Sequence, residues 1–348
     1  METVKCKGCG AILQMEDPLG EGYVVRSGME YCQRCFRMIH YDSHKETRIE
    51  PMTDLKMLEQ LKGCFFWIVD VIDLATSFNS DFVPFFQKRD FVLIVNKCDL
   101  LPEGVSEDKI RDYITGQLKQ KHLRCLEMLF RGFDDGFRER FALTAHQHQD
   151  EDLIMAGIAN VGKSTVINDL LEEKKLTVNR HPSTTLSLNY LPSQYGTIVD
   201  TVGLVADGSA QSYLTTGGLK KILPIARIRP RIYQLSGDQT LALGGIARID
   251  LVGCRQVSLV AYISNLCPLE RGKLENGDRL WQEHFGELFA PVTARKLSQF
   301  RITSFKGGCG KRDVCISGVG WLCISGHLEA IRIHCDRRIT ISERKAMI

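Results

Sequence analysis

Gly157-Ile158-Ala159-Asn160-Val161-Gly162-Lys163-Ser164 follows the short apolar run Leu153-Ile154-Met155-Ala156 and precedes Thr165-Val166-Ile167-Asn168-Asp169-Leu170-Leu171. The run predicts a strand, and the trailing segment, apolar at helical spacing, predicts a helix. A G-x-x-x-x-G-K-S loop in that context predicts a phosphate cradle, whereas an accidental glycine turn would lack the strand and the helix. Gly157 and Gly162 let the backbone curl so that its amides and the helix N-terminus face anionic oxygens. Lys163 is expected to reach the β/γ oxygens and Ser164 to ligate Mg²⁺ through its hydroxyl, with Asn160, Val161 and Thr165 completing the cradle. The fold class that follows is α/β, with a doubly wound, mainly parallel sheet over roughly residues 50–204.

The base is chosen upstream. Phe91-Val92-Leu93-Ile94-Val95 is an unbroken apolar run, as expected of a central parallel strand buried on both faces, and it ends in Asn96-Lys97-Cys98-Asp99. A carboxylate at Asp99 accepts hydrogen bonds from guanine N1–H and the 2-amino group, a pair of donors that adenine lacks. Asn96 is expected to tie this loop to the phosphate loop, and the Lys97 stem to lie over the base. The expected ligand is therefore GTP or GDP at the carboxyl edge of the sheet. An earlier strand, Phe65–Asp73, carries Asp70 and Asp73, read as loop and helix caps rather than a metal pair. Phe141-Ala142-Leu143-Thr144-Ala145 reads as another short strand, whose Thr144-Ala145 end would offer an amide to guanine O6.

Downstream, Pro182-Ser183-Thr184-Thr185 reads as a first switch, with Thr185 sensing Mg²⁺ and the γ-phosphate. Tyr195–Gly203 gives a strand ending in D-x-x-G: Asp200 would hold Mg²⁺ through water and the Gly203 amide would contact the γ-phosphate. Lys163, Asn160, Thr185 and Gly203 are the candidate catalytic groups. An ATPase or small-molecule kinase could share the phosphate loop, but Asp99 opposes it.

The 348 residues, 44% hydrophobic and 25% charged, are ordinary globular composition. With no long apolar run and no leader-like start, a cytoplasmic protein without a membrane partner is expected. The net charge of +3 is uneven: Val205 to Ile348 holds 21 Lys and Arg against 12 Asp and Glu, a net +9, which leaves −6 for the first 204 residues. The basic third suits an anionic partner such as RNA, with Arg227, Arg229, Arg231, Arg337, Arg338, Arg344 and Lys345 as candidate phosphate contacts. A solvated basic surface is the plainer alternative.

Thirteen cysteines without a secretory signal argue for reduced thiols or a metal site. Cys6-Lys7-Gly8-Cys9 and Cys32-Gln33-Arg34-Cys35 are two C-x-x-C pairs, each able to chelate one Zn²⁺ from a tight turn. Four thiolates fill a tetrahedral sphere, so the expected site is structural, and His40 and His44 have no place in it. The other nine cysteines read as small buried hydrophobes.

In the usual GTPase order the phosphate loop comes first; here N-K-x-D precedes it. That order resembles the circularly permuted GTPases of ribosome assembly, and the C-x-G-C-G and C-x-R-C finger makes the resemblance YqeH-like rather than RsgA-like or YlqF-like. Tyr233-Gln234-Leu235, Gln239-Thr240-Leu241, Gly244–Arg248 and Ile316–Trp321 resemble that family's later segments. The resemblance implies a treble-clef finger over residues 1–45, while the pattern over 205–348, with β-rich runs such as Val257–Tyr262, reads as a mixed α+β domain. The resemblance also implies GTP hydrolysis and action on the small ribosomal subunit or its rRNA. One departure and one match bear on rate. Leu204 stands where many GTPases place a water-orienting glutamine, so slow turnover is expected. Asn160 matches a phosphate-loop asparagine that in related GTPases supports K⁺, so K⁺ stimulation is expected. The rival reading is a nucleotide-gated RNA-binding scaffold with negligible turnover.

Overall fold

The computed structural model describes residues 4, 6, 12–15, 23–24, 30, 51–171, 188–201, 203–204 and 206–348. The chain divides into two compact units, residues 1–49 and 50–348. Within the first, Gln14 bridges Tyr23, the Val24 amide bonds the Gln14 carbonyl, and Cys6 is buried.

The second unit opens with helix α1 (Pro51–Gln60) and strand β1 (Cys64–Asp70), followed by the short helices α2 (Leu74–Phe78) and α3 (Phe82–Phe86). Next come β2 (Phe91–Asn96), α4 (Glu107–Gln120), β3 (Cys125–Phe130), α5 (Phe137–His146), β4 (Leu153–Ala156) and α6 (Lys163–Leu170). The hairpin β5 (Asn189–Ser193) and β6 (Gly196–Asp200) completes a six-stranded sheet in the order β3-β2-β1-β4-β6-β5. Every neighbouring pair is parallel except β5 with β6. The strands β1, β2 and β4 are buried at every position, which explains why they read as apolar runs without alternation. An aromatic cluster closes one face: Trp67 stacks on Phe86 at 4.9 Å and meets Phe78 and Phe91 edge-on at 5.4 Å.

One expected strand is a helix. Phe141–Ala145 lies inside α5, where Phe137, Phe141, Thr144 and Ala145 are buried. Their spacing of four, three and one is the helical signal; a five-residue apolar run alone does not distinguish strand from helix. The edge strand between α4 and α5 is instead β3, whose Glu127 accepts from the Thr144 hydroxyl at 2.6 Å.

After β6 the chain forms α7 (Thr216–Ile222), then β7 (Arg231–Leu235), β8 (Gln239–Leu243), β9 (Ala247–Val252), β10 (Arg255–Ile263) and β11 (Glu270–Lys273). Helix α8 (Gly277–His284) separates these from β12 (Phe300–Gly308), β13 (Arg312–Ile316), β14 (Gly320–Asp336) and β15 (Ile341–Lys345). This half is an antiparallel assembly organised on the long β14. Its first part pairs with β10 and β13, its second with β12 and β9. The division falls at Gly326, whose φ of +102 bends the strand and whose missing Cβ leaves room for the Gln256 carbonyl, 2.3 Å from where it would sit. The sheets meet through a core that includes Leu259, Leu322, Ile331 and Ile333, all fully buried.

Candidate functional site

The phosphate loop sits against its neighbours at van der Waals distance. A Cβ on Gly157 would lie 2.7 Å from the Ile68 carbonyl, and one on Gly162, at φ +87, 2.4 Å from Asn96 Nδ2. Both positions exclude a side chain, which is the physical content of the two motif glycines. Asn160, at the tip, takes a left-handed φ of 65. Gly162 precedes α6 with no side chain capping the helix, so Lys163, Ser164 and Thr165 start a helix whose first amides point into the loop. The Lys163 ammonium contacts the Asp200 carboxylate at the end of β6, both side chains being largely buried. The D-x-x-G segment is zipped to the same loop: the Ala159 amide donates to the Leu204 carbonyl at 2.8 Å, and the Leu204 amide to Gly157 at 3.2 Å. Thr201 donates its hydroxyl to Met155 at 2.7 Å. Gly203 lies against Ala159, 3.3 Å separating the Ala159 Cα from where a Gly203 Cβ would be. The Leu204 side chain is buried and turned away from solvent.

The predicted tie between the two motifs is present. Asn96 donates from Nδ2 to the Val161 carbonyl at 2.8 Å. Lys97, at φ 66, contacts the Asp70 carboxylate and the Asn160 carbonyl, the latter at 2.6 Å. Asp70 also accepts from the Ile72 amide at 2.8 Å, a local cap as the sequence suggested. Asp99 is exposed at the sheet's carboxyl edge.

The guanine-edge assignment at Thr144 and Ala145 needs correction. Ala145 is buried inside α5, where its amide belongs to the helix, and the Thr144 hydroxyl is engaged by Glu127 and the Arg140 carbonyl. The segment beside Asp99 is 131–133, directly after β3. A Cβ on Gly132, at φ +104, would lie 2.6 Å from the Asp99 amide nitrogen. Arg131 donates to Asn96 Oδ1 at 3.2 Å and to Asp169 at 2.7 Å, and its carbonyl accepts from the Cys98 amide at 3.1 Å. No familiar motif marks Arg131; a glycine immediately after an apolar strand end was the available signal.

The basic residues of the last third divide. The Arg344 side chain is only 11% exposed, paired with Asp313 at 3.2 Å and lying over the rings of Tyr113 and Trp321, so it is committed to packing and not a phosphate contact. Burial pushes the Asp313 carboxyl upward in pKa, an effect that the Arg344 charge opposes. Arg338 chelates Asp336 at 2.7 Å and covers Tyr213. Arg231 is half-buried and reaches the Ser264 carbonyl at 3.4 Å. Arg227, Arg229, Arg337 and Lys345 are exposed.

The antiparallel half touches the nucleotide-site half at several polar points, among them the Ile228 amide on the Leu100 carbonyl at 2.8 Å and the turn at Gly318. The Gly318 amide donates to Asp73 Oδ2 at 2.9 Å and to Thr76 Oγ1 at 3.2 Å. Asp73 is buried, and burial raises its pKa to about 7 against the opposing hydrogen bond from Thr76.

Cys9, Cys32, Cys35, His40, His44 and Thr185 lie outside the described residues; Cys6 of the predicted zinc set is buried. Among the described residues, no group of three or more His, Cys, Asp or Glu is arranged to hold a metal. Of the cysteines expected to be buried, Cys309 is exposed and Cys125 half-buried; the other seven are buried. No helix of the described residues is long and apolar enough to cross a membrane.

Residues 152–230 match the family described as 50S ribosome-binding GTPase, and residues 256–347 the family described as YqeH-like, C-terminal. Among curated proteins, the uncharacterized protein YqeH of Bacillus subtilis is 28% identical over 367 residues, covering all of both chains. NO-associated protein 1, chloroplastic/mitochondrial, of Arabidopsis thaliana is 23% identical, covering 92% of this chain and 69% of its own. GTPase Der of Nitrosomonas eutropha is 30% identical over 130 residues, 34% of this chain and 28% of its own.

Proposed function

From a chain that joins a GTPase domain to a YqeH-like C-terminal domain and resembles YqeH over its whole length, we propose a GTP-hydrolysing switch that assists assembly of a ribosomal subunit. The observation that carries the reading is the contact of Asn96 with Val161, which joins a guanine-type motif to a phosphate loop encoded after it. Asp99 reads guanine, the amides of 157–164 and the start of α6 bind the phosphates, and Lys163 neutralises them. Ser164 and Asp200 suit Mg²⁺, since the Asp200 carboxylate already faces a cation, the Lys163 ammonium, across the cradle. Thr185 would join them on switch I. Mg²⁺ supplies charge neutralisation at the β and γ oxygens. Leu204 cannot orient water, so intrinsic turnover is slow, and Asn160 is the group through which K⁺ speeds it.

The finger of residues 1–45 would hold a structural Zn²⁺ on Cys6, Cys9, Cys32 and Cys35, and the basic region after residue 204 is read as the part that meets rRNA. Arg227, Arg229, Arg337 and Lys345 support this by their exposure. The small subunit is what the YqeH-like resemblance implies, while the matched GTPase family is described as 50S ribosome-binding. Co-sedimentation of the chain with purified small and large subunits, in GDP and in a non-hydrolysable GTP analogue, tests it. Association with the small subunit that depends on nucleotide is expected; equal binding in both states would reject the switch.

A further inference from the structure

Asn160 lies at the tip of the phosphate loop, and its side chain is held from outside that loop. Its Nδ2 donates to Gln211 Oε1 at 2.8 Å, and Gln211 Nε2 donates to the Gly318 carbonyl at 3.1 Å. Gly318, between β13 and β14, is fixed in turn by its own amide on Asp73 and Thr76. The polarity of this chain is determined at its far end. A carbonyl only accepts, so Gln211 turns its amide nitrogen to Gly318 and its oxygen to Asn160. Asn160 then presents its nitrogen to Gln211, which leaves its oxygen, Oδ1, as the acceptor end of the amide. The spot is also crowded: Gly318 has φ +86, and a Cβ there would lie 2.3 Å from Ser209 Oγ and 3.0 Å from the Gln211 backbone nitrogen.

We propose that Gln211 is a positioning residue for GTP hydrolysis: with its orientation set by Gly318 of the C-terminal half, it fixes Asn160 so that Oδ1 faces the phosphates and any monovalent cation beside them. The inference rests on the hydrolysing-switch reading and adds to it a way for the C-terminal half to set the turnover rate. Leu204 leaves the usual water-orienting position apolar, so rate depends more on charge placed beside the phosphates. Anything that shifts the turn at 317–320 then releases Gln211 and randomises the Asn160 amide.

A double-mutant cycle on the full chain tests this, using Asn160→Ala, Gln211→Met and their combination. GTP turnover is read in KCl and in NaCl, affinity with a fluorescent GDP, and folding by thermal unfolding of the same samples. Gln211→Met is expected to lower kcat in KCl roughly three- to tenfold, the worth of one such hydrogen bond, with KM moving less than twofold. It should lower the KCl to NaCl rate ratio, and the combined variant should be no slower than Asn160→Ala alone. Gly318→Ala should reproduce the Gln211→Met loss. Multiplying losses in the combined variant, or wild-type turnover in Gln211→Met, would overturn the proposal. Should Gln211→Met fail to fold, Gln211→Ala carries the same cycle. Absence of GTP turnover in the wild-type chain would reject the switch reading itself, whereas turnover with independent losses rejects only the role of Gln211.

Discussion

Asn96, the last residue of β2, donates its side-chain amide to the carbonyl of Val161 in the phosphate loop at 2.8 Å while accepting from Arg131 at 3.2 Å. The three residues come from three successive strand ends, and none depends on which strand is encoded first. A doubly wound sheet fixes the spatial neighbours β2, β1 and β4, so motifs written in permuted order still converge at one carboxyl edge.

Replacing Asn96 with Ala removes the side-chain donor of the Val161 carbonyl and one of the two acceptors of the Arg131 guanidinium, which keeps Asp169. Loss of about 1–3 kcal/mol in unfolding free energy is expected, the penalty for partners left unsatisfied when buried. Urea unfolding measures it, and fluorescent GDP binding should weaken in the same variant.

Asp73 gives stability a pH dependence of unusual sign for a carboxylate. With its folded pKa near 7 and an ordinary acidic pKa when unfolded, the folded state holds the extra proton between about pH 4 and 7. The contribution of Asp73 is therefore full below that window and is lost as pH rises through 7. Urea midpoints measured at pH 5.5 and 7.5 should show this decline, and Asp73→Asn should flatten it.

Arg344→Ala is expected to act on stability and not on RNA binding. It leaves the buried Asp313 unpaired and removes the guanidinium between Tyr113 and Trp321, a cost of about 3–5 kcal/mol. Arg337→Glu together with Lys345→Glu, both exposed, should leave the thermal midpoint nearly unchanged while weakening subunit association at low salt. Thermal unfolding paired with co-sedimentation separates the two classes.

The parts of this chain that could be read from sequence are those whose chemistry is local. The phosphate loop and the Asn96–Asp99 loop each follow an apolar strand and use glycine or amide positions that few alternatives satisfy. Phe141–Ala145 was misread because a five-residue apolar run fits strand and helix equally. The segment that lies against Asp99 is instead the one after β3, where only Gly132 gave a hint. Arg344 shows the other limit: net charge counts a lysine-rich surface and a buried ion pair alike, and only packing against Trp321 tells them apart. The contact of Gln211 with Asn160 joins segments 51 residues apart without any motif.

Turnover should be faster in KCl than in NaCl at equal ionic strength, and Asn160→Ala should abolish the difference. Phosphate release at saturating GTP reads this directly. Equal wild-type rates in the two salts would remove Asn160 from its assigned place.

Guanine recognition by Asp99 is the claim on which the others rest, and the dissociation constants of GDP and XDP for wild type and Asp99→Asn test it. The wild-type chain should prefer GDP; the variant should lose roughly ten- to a hundredfold in GDP affinity, as for a charged hydrogen bond removed, and should prefer XDP. Unchanged preference for GDP in Asp99→Asn would contradict the account.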